Sequence, residues 1–322
     1  MTSRALLIVA VATLVSAGLA GAAAPSVAFK LKVGRGAGVP AVESTAVWVP
    51  NTKDGTVSRV DPHTRKVVKT IKLGAPPRFP GYLDSAVWAG GSIWLARDIG
   101  DEVDRIDPKS NRLAARIHVD SRPGGLAAGG GYVWAFHFLG PYVTRLDETT
   151  GGAKKVFTVQ GASGTGIAYA GDAVWLLTAN PSTLIKLDPD TGAVLAKVPV
   201  TPSAPPKHGI VETWWVAAGG DSLWVVNANW DRVTRVGVAT AKVVASIPVP
   251  VQIPFGVAWY RGAAWVAGAG KVVRIDPATN KPAGTVTLSP RSQPVFTQIS
   301  AGPAGLWATD YDEGMLYRLR VP

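Results

Sequence analysis

The sequence predicts an all-β protein, a seven-bladed β-propeller of four-stranded antiparallel blades closed by an N-terminal strand. Three observations predict it. Seven tryptophans, Trp48, Trp94, Trp134, Trp175, Trp224, Trp265 and Trp307, recur in near-identical contexts at separations of 46, 40, 41, 49, 41 and 42 residues. That is the period of a four-stranded blade. Short runs of Val, Ile, Leu, Tyr and Trp alternate with Gly, Pro, Asn and Asp, and no window beyond the N-terminal segment has helical periodicity. The last repeat lacks a fourth strand, and the chain carries a spare one before the first repeat.

The first element is an N-terminal segment with the pattern of a signal peptide. Arg4 is its basic region, Ala5 to Leu14 its apolar region, and Ala20-Gly21-Ala22 its small-x-small cleavage site. Residues 1–22 are expected to be removed, leaving 23–322 as one propeller, secreted or extracytoplasmic in the cell envelope. No other stretch is apolar and long enough to cross a membrane.

The spare strand follows, over Val27–Val33. Within each repeat four strands are expected; in the third they are Gly125–Ala128, Tyr132–Phe136, Tyr142–Leu146 and Ala153–Val159. Turns such as Asp188-Pro189-Asp190-Thr191-Gly192 and Asp276-Pro277-Ala278-Thr279-Asn280 join the third strand to the fourth. Pro presets the first turn position, and Gly or Asn accepts the left-handed one. Arg65 holds that last position in the first repeat, a local departure. Eleven residues after six of the tryptophans stands a basic residue: Arg59, Arg105, Arg145, Lys186, Arg235 and Arg318. In the Trp265 repeat Arg274 comes two residues early. Recurrence at one position makes the tryptophan an inter-blade packing residue and its basic companion a blade-to-blade hydrogen bonder. The last repeat gives strands at Leu306–Thr309 and Met315–Arg320 and then ends, so the N-terminal strand is expected to complete it and remove two open edges.

Composition bounds the chemistry. The chain has no Cys, which excludes disulfides, thiolate metal sites and cysteine nucleophiles. Formal net charge is +11, with Lys and Arg scattered rather than blocked. The scatter argues against nucleic acid, and the sign favours an anionic partner. Candidate binding residues sit in the loops that reach the mouth of the channel. Arg35, Arg78, Arg122, Lys207 and Arg291 lead into five of the seven first strands, where they are expected to form a basic funnel. The position three residues after each tryptophan varies: Asn51, Arg97, His137, Thr178, Asn227, Gly268 and Asp310. With Phe138, Asn229, Trp230, Phe255, Tyr311 and Asp312 it reads as a recognition surface. Of four histidines, His137 and His208 fall in these loops and are candidates for a general base or metal ligands. No metal motif, nucleophile elbow or phosphate loop is present.

Two repeats, "GGSIWLA…VDRIDPKSNRLAARIHV" and "RGAAWVAGAGKVVRIDPATNKPAGTVTL", resemble the YVTN/YncE-like propeller repeat. They also resemble streptogramin B lyase (virginiamycin B lyase) and NHL-type propellers, over residues 27–322. Lyase-like blades carry Pro-His-Gly-Ile before strand one and Trp-Phe-Thr-Glu in strand two. Lys207-His208-Gly209-Ile210 after Pro206 is a near match, whereas Trp307-Ala308-Thr309-Asp310 lacks the Glu. The resemblance implies a lyase that uses His and Glu with a divalent cation, for which this chain offers His208, His137 and Asp310. The reading taken from the residues is a non-catalytic binding module, monomeric and without cofactor. Its ligand is an anionic small molecule, wall polymer or protein partner, bound through Arg35, Arg78, Arg97, Arg122, Lys207, Asn227, Trp230, Arg291 and Tyr311. The alternative is a lyase or a lactone- or ester-cleaving propeller.

Overall fold

The computed structural model describes residues 24–74, 85–97, 100–138, 140–152, 154–179, 181–209, 213, 215–289 and 296–322. The N-terminal segment 1–22, Arg78 and Arg291 lie outside the described residues. Seven four-stranded antiparallel sheets form the ring. Blade 1 comprises Ala41–Val42, Val47–Asn51, Thr56–Asp61 and Lys66–Lys72. Blade 2 comprises Ser85–Ala89, Ser92–Arg97, Glu102–Asp107 and Arg112–His118. Blade 3 is Pro123–Gly129, Tyr132–His137, Tyr142–Asp147 and Lys155–Thr158. Blade 4 is Gly164–Ala170, Ala173–Thr178, Thr183–Leu187 and Val194–Pro199. Blade 5 is Val216–Gly219, Ser222–Asn227, Arg232–Gly237 and Lys242–Pro248. Blade 6 is Pro254–Tyr260, Ala263–Gly268, Lys271–Asp276 and Lys281–Thr287. Blade 7 takes Thr297–Gly302, Gly305–Asp310 and Met315–Arg320 from the C-terminus and Ser26–Lys32 from the N-terminus. Ser26–Lys32 pairs antiparallel with Met315–Arg320, so the ring closes as the sequence predicts.

The repeated tryptophan explains why the sheets pack as a ring. Seven apolar clusters each join two neighbouring blades, and each contains one of the seven indoles. Trp175 of blade 4, for example, packs with Leu223, Val225 and Val236 of blade 5, and Trp307 packs with Val47, Val49 and Val60 of blade 1. All seven indoles are at most 1% exposed. Five of them, from Trp94 to Trp265, donate Nε1–H to the carbonyl five residues upstream at the end of the first strand. The apolar face therefore goes to the neighbour while the one polar atom stays satisfied.

The eleven-residue spacing is a cross-strand register. Trp48 faces Arg59, Trp94 faces Arg105, Trp134 faces Arg145, Trp175 faces Lys186, Trp224 faces Arg235 and Trp307 faces Arg318. Trp265 faces Arg274 in the same way, because its connecting turn is two residues shorter. In the six pairs other than Trp265–Arg274 the cation lies over the indole, from 4.9 Å for Arg318 to 5.8 Å for Arg145. Several guanidinium groups then reach the third-to-fourth-strand turn of the next blade. Arg59 donates to Pro108 O and Asn111 Oδ1 (3.3 and 2.7 Å), Arg145 to Pro189 O (2.8 Å), and Arg235 to Pro277 O and Asn280 Oδ1 (2.6 and 3.0 Å).

A glycine ends the first strand where the next blade leans in. A Cβ on Gly219 would meet the Trp259 ring at 2.0 Å, and one on Gly129 would meet Tyr169 at 2.2 Å. Those rings stack on Trp224 and Trp134 of the preceding blade.

Trp175→Ala should destabilise the ring by about 3–5 kcal/mol. Val244→Ala, on the exposed outer strand of blade 5, should change stability by about 0.5 kcal/mol or less. Denaturant unfolding measures both, and equal effects would contradict the inter-blade role.

Candidate functional site

Antiparallel blades place the turns joining strands two and three on the same face as the loops leading into each first strand. This top face holds the candidate residues. The first of them to resolve are those three residues after each tryptophan. They end the second strands, and the structure buries all of them inside the blades except Arg97, which is half-buried. Asn51 Nδ2 donates to Ser58 Oγ (2.9 Å), and Thr234 Oγ1 donates to Asn227 Oδ1 (2.8 Å). His137 Nε2 meets Thr144 Oγ1 at 2.7 Å, and Arg97 meets Asp104 at 3.4 Å. Each pair is a second-strand residue and the residue seven further on. Each also holds the backbone that leads in from the preceding blade. Ser58 donates to Val33 O, Arg97 to Leu73 O, His137 Nδ1 to Ser121 O and Asn227 Nδ2 to Val200 O. The variable position that reads in the sequence as a recognition surface is thus a set of different solutions to one packing problem.

These contacts fix the chemistry of the candidate acids and bases. The carbonyl of Ser121 can only accept, so His137 Nδ1 carries the proton and Nε2 accepts from Thr144. Burial pushes the His137 imidazole below its usual pKa, against the hydrogen bond to Ser121. Burial likewise pushes the Asp310 carboxyl up, and its neighbours Glu313 and Asp312 add to the rise. Asp310 Oδ1 accepts the backbone N–H of Glu313 at 2.9 Å, which caps its own turn. Arg97 is half-buried in an ion cluster: with Arg116 it brackets Glu102 and Asp104 at 3.1–3.4 Å. Burial raises the Asp104 carboxyl, and the two guanidinium groups oppose it.

Blade 5 brings several of the described candidates together. Ala228–Trp230 forms a single 3₁₀ turn, and Asp231 follows in the left-handed region with φ 50°. Its carboxylate accepts from Lys207 Nζ (3.3 Å), His208 Nε2 (3.1 Å) and the Ile253 N–H (2.8 Å). Asn229 O accepts the N–H groups of Lys207 and His208. Trp230 is buried, and its Nε1 donates to Ala204 O (2.6 Å). The long segment leading into blade 5 is strapped down by these bonds. Asp231 is the residue that sequence reasoning missed; its position directly after Trp230 was the available signal.

Elsewhere on this face Arg35 donates from N and Nε to Asp54, both at 2.7 Å, while its side chain stays 72% exposed. Burial pushes the Asp54 carboxyl up, but the bonds and charge of Arg35 outweigh it and hold it below its usual value. Arg122 lies over the Phe138 ring at 5.8 Å. Tyr311 is buried, with Lys53 Nζ 4.3 Å above its ring and Phe296 edge-on at 6.4 Å. Below the mouth, first-strand residues of blades 2 to 7, such as Leu126, Ile167 and Ile299, line a channel cavity of about 250 Å³ together with Val39 and Trp215, which precede the first strands of blades 1 and 5.

His137, His208 and Asp310 do not converge. They belong to blades 3, 5 and 7, and each is engaged by Thr144, Asp231 or the Glu313 N–H. Among the described residues no three His, Asp or Glu side chains group as cation ligands. The described residues therefore do not fit the divalent cation that the lyase resemblance implies.

No protein family and no curated protein matches the sequence. The fold has many solved counterparts. Virginiamycin B lyase from Staphylococcus aureus is 17% identical with a TM-score of 0.72, covering 91% of this chain and 99% of that one. The WD40 β-propeller domain of Doa1 is 10% identical with a TM-score of 0.71, covering 92% and 97%. Hydrazine synthase from Kuenenia stuttgartiensis is 13% identical with a TM-score of 0.68, covering 92% and 97%. The chain is a seven-bladed propeller of the same fold as virginiamycin B lyase. At these identities the likeness extends to fold alone.

Two carboxylates give opposite expectations. Asp104→Ala leaves two guanidinium groups without their buried partner and should cost about 3–5 kcal/mol. A raised folded-state pKa means that the charged carboxylate is disfavoured, so stability falls as pH rises above the unfolded value. Asp310→Asn removes that penalty. It should raise the melting temperature at pH 7 and leave it unchanged at pH 3, where the carboxyl is protonated in both states; melting curves at the two pH values decide.

Proposed function

We infer that the protein is an exported, non-catalytic binding propeller. Its top face takes an anionic small molecule, an acidic wall polymer or the acidic surface of a protein partner. The observation that carries this reading is how the basic rim is held. Arg35 and Lys207 are each tethered to a carboxylate, Asp54 or Asp231, yet their side chains stay 72% and 61% exposed. A tethered but exposed cation is preorganised, which lowers the entropy lost on binding. Arg122 adds a third charge, and Arg78 and Arg291 lead into blades 2 and 7. The buried engagement of His137, Asn227, Arg97 and Asp310 supports the same reading, because it removes them from reaction chemistry.

A second reading rests on one contact. Asp231 holds the His208 ring at 3.1 Å, as an orienting carboxylate holds a general base. That arrangement would suit a lyase acting on a cyclic depsipeptide, or a lactone or ester hydrolase. Unchanged turnover of such a substrate by His208→Ala would remove this reading.

Titration calorimetry against anionic sugars and phosphorylated wall fragments tests the first. Affinity should fall with added salt, because the cations are exposed. A combined Arg35→Ala, Arg122→Ala and Lys207→Ala variant should bind about tenfold more weakly or worse, the scale of a lost charged hydrogen bond. Wild-type affinity in that variant would exclude the basic rim.

A further inference from the structure

The opposite face carries a second basic site, at the seam where the ring closes. Turns between strands one and two and between strands three and four share this bottom face. In blades 1, 3 and 5 a strand-three arginine crosses it to donate to the next blade's Asp-Pro turn, through Arg59, Arg145 and Arg235. In two of those turns the left-handed position supplies a side-chain acceptor, Asn111 or Asn280. Arg318 of blade 7 is the counterpart at the seam, and the turn it faces is Asp61-Pro62-His63-Thr64-Arg65 of blade 1. There the acceptor position holds Arg65, at φ 59°. The sequence departure noted in the first repeat thus puts a cation where two of the latches have a side-chain acceptor.

At this turn lies a cavity of about 520 Å³, lined by Arg65, Arg261, Arg318, Arg320 and His63, with Phe29 and Tyr260 in its walls. No Asp or Glu side chain lines it. The carboxylates nearest in sequence are committed elsewhere. Asp61 accepts the N–H groups of His63 and Thr64, and Glu43 accepts from Ser44 and Thr45. Arg65 lies over Phe29 at 5.3 Å, Arg318 lies over Trp307 at 4.9 Å, and Arg261 reaches Val321 O at 3.4 Å. Among the described residues none of these four arginines has a carboxylate partner within salt-bridge distance. Four guanidinium forks around one cavity repel one another unless an anion neutralises them, and the planar fork matches phosphate oxygens bidentately. The volume is that of a small-ligand site, and the aromatic walls offer a surface for an apolar or ring-bearing body.

We propose that this seam cavity binds a phosphorylated small molecule, with the phosphate charges between Arg65 and Arg318 and with Arg261 and Arg320 flanking. Phe29 belongs to the N-terminal strand, Arg318 and Arg320 to the C-terminal strand, and Arg65 to blade 1. A ligand held between them joins the parts whose pairing closes the ring, so binding should stabilise the closure itself.

The decisive variant is Arg65→Asn. It restores the residue found at the same turn position as Asn111 and Asn280, so it should fold and give Arg318 its acceptor back. Pyrophosphate is the probe, measured by titration calorimetry and thermal shift on the full chain, with ADP and glucose 1-phosphate to separate a base-bearing from a sugar-bearing ligand. The wild-type protein should bind pyrophosphate and melt a few degrees higher with it. Hydrogen exchange should slow in Ser26–Lys32 and Met315–Arg320. Arg65→Asn should bind about tenfold more weakly or worse, and Lys197→Ala, on the exposed outer strand of blade 4, should bind as wild type does. No binding by the wild type, or loss in Lys207→Ala with retention in Arg65→Asn, overturns the proposal. The second result would assign phosphate to the top face instead.

Discussion

An indole between two sheets is the constraint on which the rest of this molecule depends. Neighbouring blades diverge outward, so a residue at the interface must fill a wide gap and still satisfy any polar atom it brings. Tryptophan does both when its Nε1 reaches the first strand of its own blade. Its size then fixes the distance between blades, and its cross-strand partner is fixed too. A basic side chain opposite the indole lies along the ring face and arrives at the next blade with its guanidinium. The same geometry sets the Asp-Pro turn at the far end of that reach. One large side chain thereby dictates a strand register, a basic position and a turn sequence, repeated around the ring.

The polar residues beside these indoles obey a similar constraint with more freedom. The chain leading in from the preceding blade leaves carbonyls that need donors in a buried place. Asn51 with Ser58, Asn227 with Thr234, the neutral His137 with Thr144, and the ion cluster of Arg97 and Arg116 with Asp104 all answer that need. They differ in charge because the requirement is for a hydrogen bond across seven residues, not for one side chain. Variation at a position is therefore compatible with a purely architectural role. His137 and Arg97 show how residues typical of active sites come to be spent on holding a blade together.

This explains which parts of the molecule were legible in the sequence. The blade period, the strand order of the third repeat and the closure by the N-terminal strand follow from Trp spacing and hydrophobic alternation, because both reflect local register. The basic residue near the indole was legible as a blade-to-blade bonder for the same reason, and Arg59, Arg105, Arg145 and Arg235 make that bond. The fates of Asn227 and Arg97 were not, since whether a loop-end residue faces solvent or a neighbouring carbonyl depends on contacts 27 and 24 residues away. His208 was visible as a candidate, but its partner Asp231 lies on a different connection of the same blade. No pattern of spacing brings those two together; only the fold of the long segment before blade 5 does.

The two faces differ in what they are free to do. On the bottom face, turns of nearly fixed length are drawn into the arginine latch, and a turn that must accept a guanidinium from its neighbour has little capacity left for a ligand. On the top face the connections vary in length and composition without disturbing the ring, as the segment before blade 5 does when it brings Lys207 and His208 onto Asp231. Recognition would therefore be expected above the channel, and the exposed, tethered Arg35 and Lys207 fit that expectation. The seam is the exception that the same logic allows. It is where a turn need not match the repeat, because the blade beside it is assembled from both ends of the chain. An arginine at the turn position where Asn111 and Asn280 act as acceptors denies Arg318 a side-chain partner there and leaves its guanidinium lining the same cavity as a second one. A site on the conserved-looking face of a repeat protein is then found by asking where the repeat stops agreeing with itself.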